Sequence, residues 1–87
     1  MEKVALVITA ASGLHARPAG LFVKTAAQFV SSIKISKGEK EVNGKSPLAL
    51  MTLGAKQGDS VTITAEGLDE KEAIQAFVEL FERGFEE

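Results

Sequence analysis

The sequence contains no cysteine, tryptophan or tyrosine, and it has a single histidine. The lack of cysteine excludes a disulfide framework, thiolate metal sites and cysteine catalysis. One histidine excludes a multi-histidine metal site, and no spaced carboxylate cluster replaces it, so we expect no metal and no other cofactor. Only five phenylalanines could stack on bases, and the net charge is −2 rather than strongly positive. We therefore expect no nucleic-acid partner.

The length and composition predict one globular domain. The chain has 87 residues, 45% of them hydrophobic and 25% charged, and we expect residues 1–87 to form a single unit. The apolar run at residues 4–11 is too short to span a membrane and follows no clearly basic segment of the kind that begins a signal peptide. Its alternating pattern favours a half-buried strand. We therefore expect a cytoplasmic protein with no segment inserted in the membrane.

Hydrophobic spacing divides the chain into strands and helices. Two-residue alternation predicts strands at residues 4–9, 32–36 and 61–65, and a weaker, charged edge strand at 39–43. Steps of three and four residues predict a helix from Ala16 to Val30 and another after Asp69. The first has apolar positions Ala19, Phe22, Val23, Ala26 and Val30, and the last has Ile74, Phe77, Val78, Phe81 and Phe85.

Local signals place the ends of these helices. Pro18 suits a first turn, and Ser46 followed by Pro47 predicts a capped start for a brief helix at residues 48–53. Gly54 stands where a left-handed residue would end that helix. Asp69, with Glu72 three residues later, predicts a capping box. The order β-α-β-β-α-β-α predicts an α+β fold, with an antiparallel sheet covered by helices on one face.

One apparent nucleotide motif fails on spacing. Gly44, Lys45 and Ser46 resemble the end of a phosphate-binding loop, which needs a glycine five residues before Gly44. Gly38 lies six residues before it, and the long helix that should follow is interrupted at Gly54. The sequence therefore predicts no nucleotide-binding loop.

The chemistry concentrates at residues 13–18, Gly-Leu-His-Ala-Arg-Pro. His15 stands where a loop becomes a helix, so the free N–H groups of Ala16 and Arg17 and the helix dipole predict an anion site. Arg17 adds a planar cation suited to phosphate, and the helix end favours the neutral, nucleophilic imidazole of His15. The pattern indicates covalent phosphoryl transfer through His15. It leaves open that His15 only caps a helix and that Arg17 is a solvated surface group.

Residues 13–19 resemble the active-site signature of the HPr family, the histidine phosphocarriers of the bacterial phosphotransferase system. The resemblance extends over nearly the whole chain, at residues 45–46, 52–54, 57–58, 61–63 and 65–67. It implies an open-faced β-sandwich, in which three helices pack on one face of four antiparallel strands.

The resemblance also implies a relay. His15 would accept a phosphoryl group on Nδ1 from enzyme I and pass it to an enzyme IIA domain, with Arg17 assisting the phosphoryl group. The protein would be a carrier that completes no turnover alone, and not an independent enzyme. A small docking surface on the first two helices is implied at Ala16, Gly20, Lys24, Leu48 and Met51. Spacing alone would assign Leu48 and Met51 to the core.

Two further points follow from the resemblance. In many relatives the serine matching Ser46 is phosphorylated by a kinase, and the product binds a transcriptional regulator; there the sequence usually reads Ser-Ile-Met, where this chain has Ser46, Pro47 and Leu48. A docking module switched at Ser46, with His15 incidental, is therefore an alternative. Residues 49–51 and 80–85 are similar to the nitrogen-regulatory paralogue, although the sugar-transport branch is favoured. We expect a monomer, since no additional apolar stripe is visible.

Overall fold

The computed structural model describes residues 1–9, 13 and 16–85 of the chain. The order of elements is the predicted β-α-β-β-α-β-α. The elements are β1 (Glu2–Val7), α1 (Ala16–Ala26), β2 (Ser32–Lys37), β3 (Lys40–Asn43), α2 (Pro47–Thr52), β4 (Ser60–Glu66) and α3 (Glu70–Glu82).

The four strands form one antiparallel sheet in the order β1-β4-β2-β3. One row of paired residues crosses the whole sheet, through Val4, Ile63, Ile35 and Val42. The two central members of this row are fully buried and the two outer ones partly buried. Because side chains alternate along a strand, this row defines the face of the sheet that the helices cover.

The helices pack on that face through aromatic side chains. Phe22 of α1 and Phe77 of α3 are both fully buried, and their stacked rings lie 4.4 Å apart between centroids. Phe81 meets Phe22 edge-on at 6.5 Å. On the opposite face, Lys3 and Lys34 are solvent-exposed on either side of Thr64. The architecture is therefore the expected open-faced β-sandwich.

The predicted limits of the first strand and of the first helix were wrong. The first strand occupies Glu2–Val7, two residues earlier than predicted at each end. The helix predicted to reach Val30 ends at Ala26, after which the Phe29 N–H bonds to the Ala26 carbonyl in a tighter turn. Val30 is 77% exposed, and its N–H donates to the Asp69 carboxylate at 2.9 Å. A bond to a distant residue thus replaces the helical bond that the spacing predicted.

The capping box predicted at Asp69 is also absent. Asp69 occupies the N-cap position of α3, but its side chain makes no capping hydrogen bond. Its carboxylate instead accepts hydrogen bonds from Val30 and Ser31, while Glu70 accepts one from the Gly67 N–H at 3.2 Å. The start of α3 is therefore tied to the loop that follows α1.

Candidate functional site

The predicted phosphoryl acceptor, His15, lies outside the described residues. The structure does place the first turn of α1, which begins at Ala16, directly after it in the chain. Arg17 is exposed in this turn, and Pro18 is buried. The first turn of α1 contains no acidic residue. The first N–H groups of α1, which have no partner within a helix, thus lie at the same end as the positive pole of the helix dipole and the exposed Arg17.

Gly13 fits against the loop between α2 and β4. Its φ is +66°, and a Cβ added there would lie 2.5 Å from the Ala55 carbonyl oxygen and 2.9 Å from the Lys56 Cα. Only a glycine combines this left-handed backbone with so close an approach. The chain just before the predicted site is thus packed against residues 55–56.

Hydrogen bonds fix that loop in turn. The Gly58 N–H donates to the Ile8 carbonyl at 2.8 Å, and the Ile8 N–H donates to the Asp59 carbonyl at 2.9 Å. The Asp59 carboxylate accepts from the Lys56 N–H at 2.8 Å and pairs with the Lys37 ammonium at 3.0 Å. The Lys56 N–H, and next Lys37, hold the pKa of Asp59 below its usual value. The surface beside Gly13 is therefore held in place by the end of β1 and by β2.

The proposed docking residues are on the surface wherever the structure describes their side chains. Gly20 and Lys24 are exposed on α1, and a Cβ built on Gly20 would meet nothing within 4 Å. On α2, Leu48 is 74% and Met51 is 38% exposed, whereas Leu50 is fully buried. The alternative from spacing alone, that Leu48 and Met51 belong to the core, is therefore wrong. Helices α1 and α2 pack against each other, so these exposed residues occupy neighbouring parts of the surface.

Ser46 has the predicted structural role at the start of α2. Its hydroxyl accepts a hydrogen bond from the Ala49 N–H at 3.3 Å, and Pro47 is the first helical residue. The Lys45 ammonium donates to the Phe29 carbonyl at 2.9 Å and is therefore engaged within the protein. A Cβ on Gly44 would lie 2.6 Å from Cγ2 of Ile33, so this segment packs closely on β2. These contacts are those of a packed connection and not of a phosphate-binding loop.

The sequence analysis did not predict the role of two lysines at the C-terminal end of α2. The Lys37 ammonium donates to the Gly54 carbonyl at 3.1 Å, and the Lys40 ammonium donates to the Thr52 carbonyl. Gly54 itself has the predicted left-handed φ, +71°. The sequence contains no signal for these bonds beyond the lysines themselves, because their partners are backbone atoms 12 and 17 residues away.

Neither a metal-binding cluster nor a membrane-spanning helix occurs in the described part of the chain. Within residues 1–9, 13 and 16–85, no three histidine or carboxylate side chains are grouped so that they could hold a metal ion. No helix in these ranges is long and apolar enough to cross a bilayer.

Comparisons with known proteins agree with this geometry. Residues 3–83 match the family model described as the PTS HPr component phosphorylation site. The chain is 53% identical over 68 residues to phosphocarrier protein HPr of Buchnera aphidicola subsp. Acyrthosiphon pisum, covering 78% of this chain and 80% of that protein. It is 46% identical over 72 residues to the HPr-like protein Crh of Halalkalibacterium halodurans, covering 83% and 86%.

A solved structure gives the same result for the fold. HPr-C-His from Thermoanaerobacter tengcongensis is 51% identical in sequence and superposes with a TM-score of 0.95, covering 100% of this chain and 99% of that one. The sequence motif, the sheet topology and these matches lead to one conclusion: the chain belongs to the HPr family, the phosphocarrier proteins of the phosphotransferase system.

Proposed function

We propose that this protein carries a phosphoryl group on His15, accepting it from phospho-enzyme I and passing it to an enzyme IIA domain of the sugar phosphotransferase system. The observation that carries the proposal is the exposed Arg17 in the first turn of α1, two residues after His15, in a chain of the HPr family. A permanent cation and free backbone N–H groups at this point suit a phosphoryl group.

The proposed step is an exchange of one phosphorus–nitrogen bond for another. Nδ1 of the neutral His15 imidazole attacks the phosphorus atom, a new P–N bond forms, and the P–N bond to the histidine of enzyme I breaks. The N–H groups of Ala16 and Arg17 and the Arg17 guanidinium stabilise the charge on the phosphoryl oxygens. Transfer to enzyme IIA repeats the exchange with this protein as the donor. The protein is then a substrate in each step and not an independent enzyme.

The exposed residues on α1 and α2 support a shared docking surface for both partners. Leu48 and Met51 offer apolar contact, while Arg17 and Lys24 add positive charge at exposed positions. Neither α1 nor α2 contains an acidic residue. A relay needs brief contacts and rapid release, and a small apolar patch beside a few cations suits both needs. In this proposal the carrier works as a monomer in the cytoplasm.

Ser46 supports a second candidate function, a switch read by a kinase and a transcriptional regulator. Its hydroxyl lies at the start of α2, where the helix dipole favours a phosphate. The same surface contains the exposed Leu48, so a phosphate on Ser46 would add negative charge beside the docking residues.

Intact-mass spectrometry after incubation with phosphoenolpyruvate, magnesium and enzyme I tests the principal proposal. We expect one phosphoryl adduct that acid removes and alkali preserves, and that the His15→Ala variant lacks. A full adduct on that variant would reject His15 as the acceptor. No adduct, with an enzyme I shown to phosphorylate another carrier, would favour the Ser46 switch, which a titration of the regulator against the protein with and without phosphoserine then decides.

The branch of the system is tested with the phosphorylated protein. We expect transfer to a sugar-specific enzyme IIA to be faster than transfer to its nitrogen-regulatory counterpart. The reverse order would assign this chain to the nitrogen branch.

A further inference from the structure

We propose that Lys37 and Lys40 are positioning residues for partner docking, because they fix the C-terminal end of α2 and so hold Leu48 and Met51 in place. This inference rests on the proposed function, in which α2 forms part of the docking surface. The two lysines belong to the hairpin formed by β2 and β3, and neither is assigned to the docking surface itself.

Helix α2 depends on contacts outside itself. It has six residues, and a helix so short is not stable in isolation. Only Leu50 among its residues is buried, and the Ser46 hydroxyl satisfies one N–H group at its start. Leu48 makes little contribution to packing, since it is 74% exposed, whereas Met51 is partly covered. The orientation of the exposed side chains therefore depends on the buried Leu50, on packing against α1 and on what holds the two ends of the helix.

The C-terminal end of α2 lacks a cation of its own. There is no basic residue in its last turn, although this end carries the negative pole of the helix dipole. The Lys40 ammonium donates to the Thr52 carbonyl, and the Lys37 ammonium donates to the Gly54 carbonyl at 3.1 Å. The hairpin thus supplies both the charge and the hydrogen-bond donors that the helix lacks.

These contacts also explain how two lysines can lie opposite each other in the hairpin. Lys37 and Lys40 are directly opposite each other in the β2–β3 register, and like charges in that arrangement destabilise a sheet. The carbonyls of Thr52 and Gly54, and the Asp59 carboxylate 3.0 Å from Lys37, offset this repulsion. The hairpin end and the end of α2 therefore stabilise each other.

Hydrogen exchange tests whether the lysines hold the helix. In the Lys37→Gln/Lys40→Gln double variant, we expect the Leu50 and Leu53 amides to exchange about 5- to 30-fold faster, while the amides of β4 are unchanged. Lys3→Gln/Lys34→Gln is the matched control: it also removes two positive charges, but both lysines are exposed on the opposite face of the sheet. Unchanged exchange at Leu50 and Leu53 would overturn the proposal.

Phosphorylation by enzyme I with phosphoenolpyruvate tests whether the lysines serve docking. We expect the double variant to raise KM with little change in kcat, and Lys40→Arg, which keeps a donor and a charge, to behave like the wild type. An equal rise in KM for Lys3→Gln/Lys34→Gln would mean that net charge alone matters, and would overturn the positioning role. If enzyme I does not phosphorylate the wild type, the proposed function fails, whereas the exchange of the α2 amides still decides whether the lysines hold the helix.

Discussion

Ser31 and Asp69 join the loop after α1 to the start of α3 through a single carboxylate. Ser31 donates both its N–H and its hydroxyl to Oδ1 of Asp69, at 3.0 and 2.5 Å. A Cβ on Gly67 would lie 2.6 Å from the Ser31 Oγ, so the two loops meet with no space between them. Ser31 is 1% exposed although it is polar. The pair connects two elements that are 38 residues apart.

The Asp69 contacts predict a loss of stability in acid. The hydrogen bond from the Ser31 hydroxyl, with the N–H groups of Val30 and Ser31, holds the pKa of Asp69 below its usual value of 3.8. Since the folded pKa is the lower one, the contribution of Asp69 is complete above the usual value and is lost as pH falls through the folded pKa. We expect Asp69→Asn to lower the free energy of unfolding at pH 7, and this deficit to shrink below about pH 4. Urea unfolding at pH 7 and at pH 3 measures this difference in the free energy of unfolding.

The control for this prediction is Glu72→Gln, which removes an exposed carboxylate from the first turn of the same helix. We expect Glu72→Gln to lower the free energy of unfolding at pH 7 by less than Asp69→Asn does. A deficit for Asp69→Asn that stayed constant from pH 7 to pH 3 would contradict the role of the charged carboxylate.

Gly13→Ala should destabilise the protein more than Gly38→Ala does. Both glycines have a left-handed φ, +66° and +62°, which costs another residue about 1–2 kcal/mol. A Cβ on Gly38 meets nothing within 4 Å, whereas one on Gly13 would overlap Ala55 and Lys56. We expect roughly 1–3 kcal/mol of additional loss at Gly13 from this overlap. Thermal or urea unfolding of the two variants tests this difference. Equal losses of unfolding free energy would mean that the loop at residues 55–56 moves aside at no cost.

Two leucines of α2 should separate stability from docking. Leu50 is fully buried, so Leu50→Ala should cost about 2–5 kcal/mol of unfolding free energy. Leu48 is 74% exposed, so Leu48→Ala should change stability by less than about 0.5 kcal/mol. We expect Leu48→Ala nevertheless to raise the KM of enzyme I for the protein. An unchanged KM would remove Leu48 from the docking surface.

Arg17→Ala should slow phosphoryl transfer without unfolding the domain. Arg17 is exposed, and we expect loss of its charged hydrogen bonds to the phosphoryl group to slow transfer about 10- to 100-fold. Lys71→Ala removes one exposed positive charge from α3 and serves as the control. Rapid-quench kinetics measure transfer, and circular dichroism confirms folding. If Arg17→Ala unfolds the protein, its role is structural.

The sequence predicted the sheet well because strand patterning is local. Ile33 and Ile35 alternate with polar residues, as do Val61 and Ile63, and this pattern identified two strands. All four apolar side chains are buried in the structure. Ser46 followed by Pro47 likewise identified the start of α2, since both residues act on the adjacent backbone. Local chemistry of this kind can be predicted from a single chain.

The errors at Val30 and Asp69 share a different cause, which is contact between distant residues. The helix expected to reach Val30 ended earlier because Asp69, 39 residues away, accepts the Val30 N–H. The same contacts removed Asp69 from its predicted cap. Leu48 and Met51 fit a buried pattern as well as Leu50 does, and only the packing of α2 decides which leucine is covered. The acceptor His15 lies outside the described residues, so its role stays a prediction from the motif.

The strand order β1-β4-β2-β3 also has a consequence for synthesis on the ribosome. Val4 of β1 pairs with Ile63 of β4, and Ile35 of β2 pairs with the same residue. The first strand to be made therefore has no neighbour in the sheet until residues 60–66 have been translated and released. Pairing across such a separation forms late, because a long loop must close before any contact rewards it. We therefore expect the pairing of β1 with β4 to be among the last steps in forming the sheet.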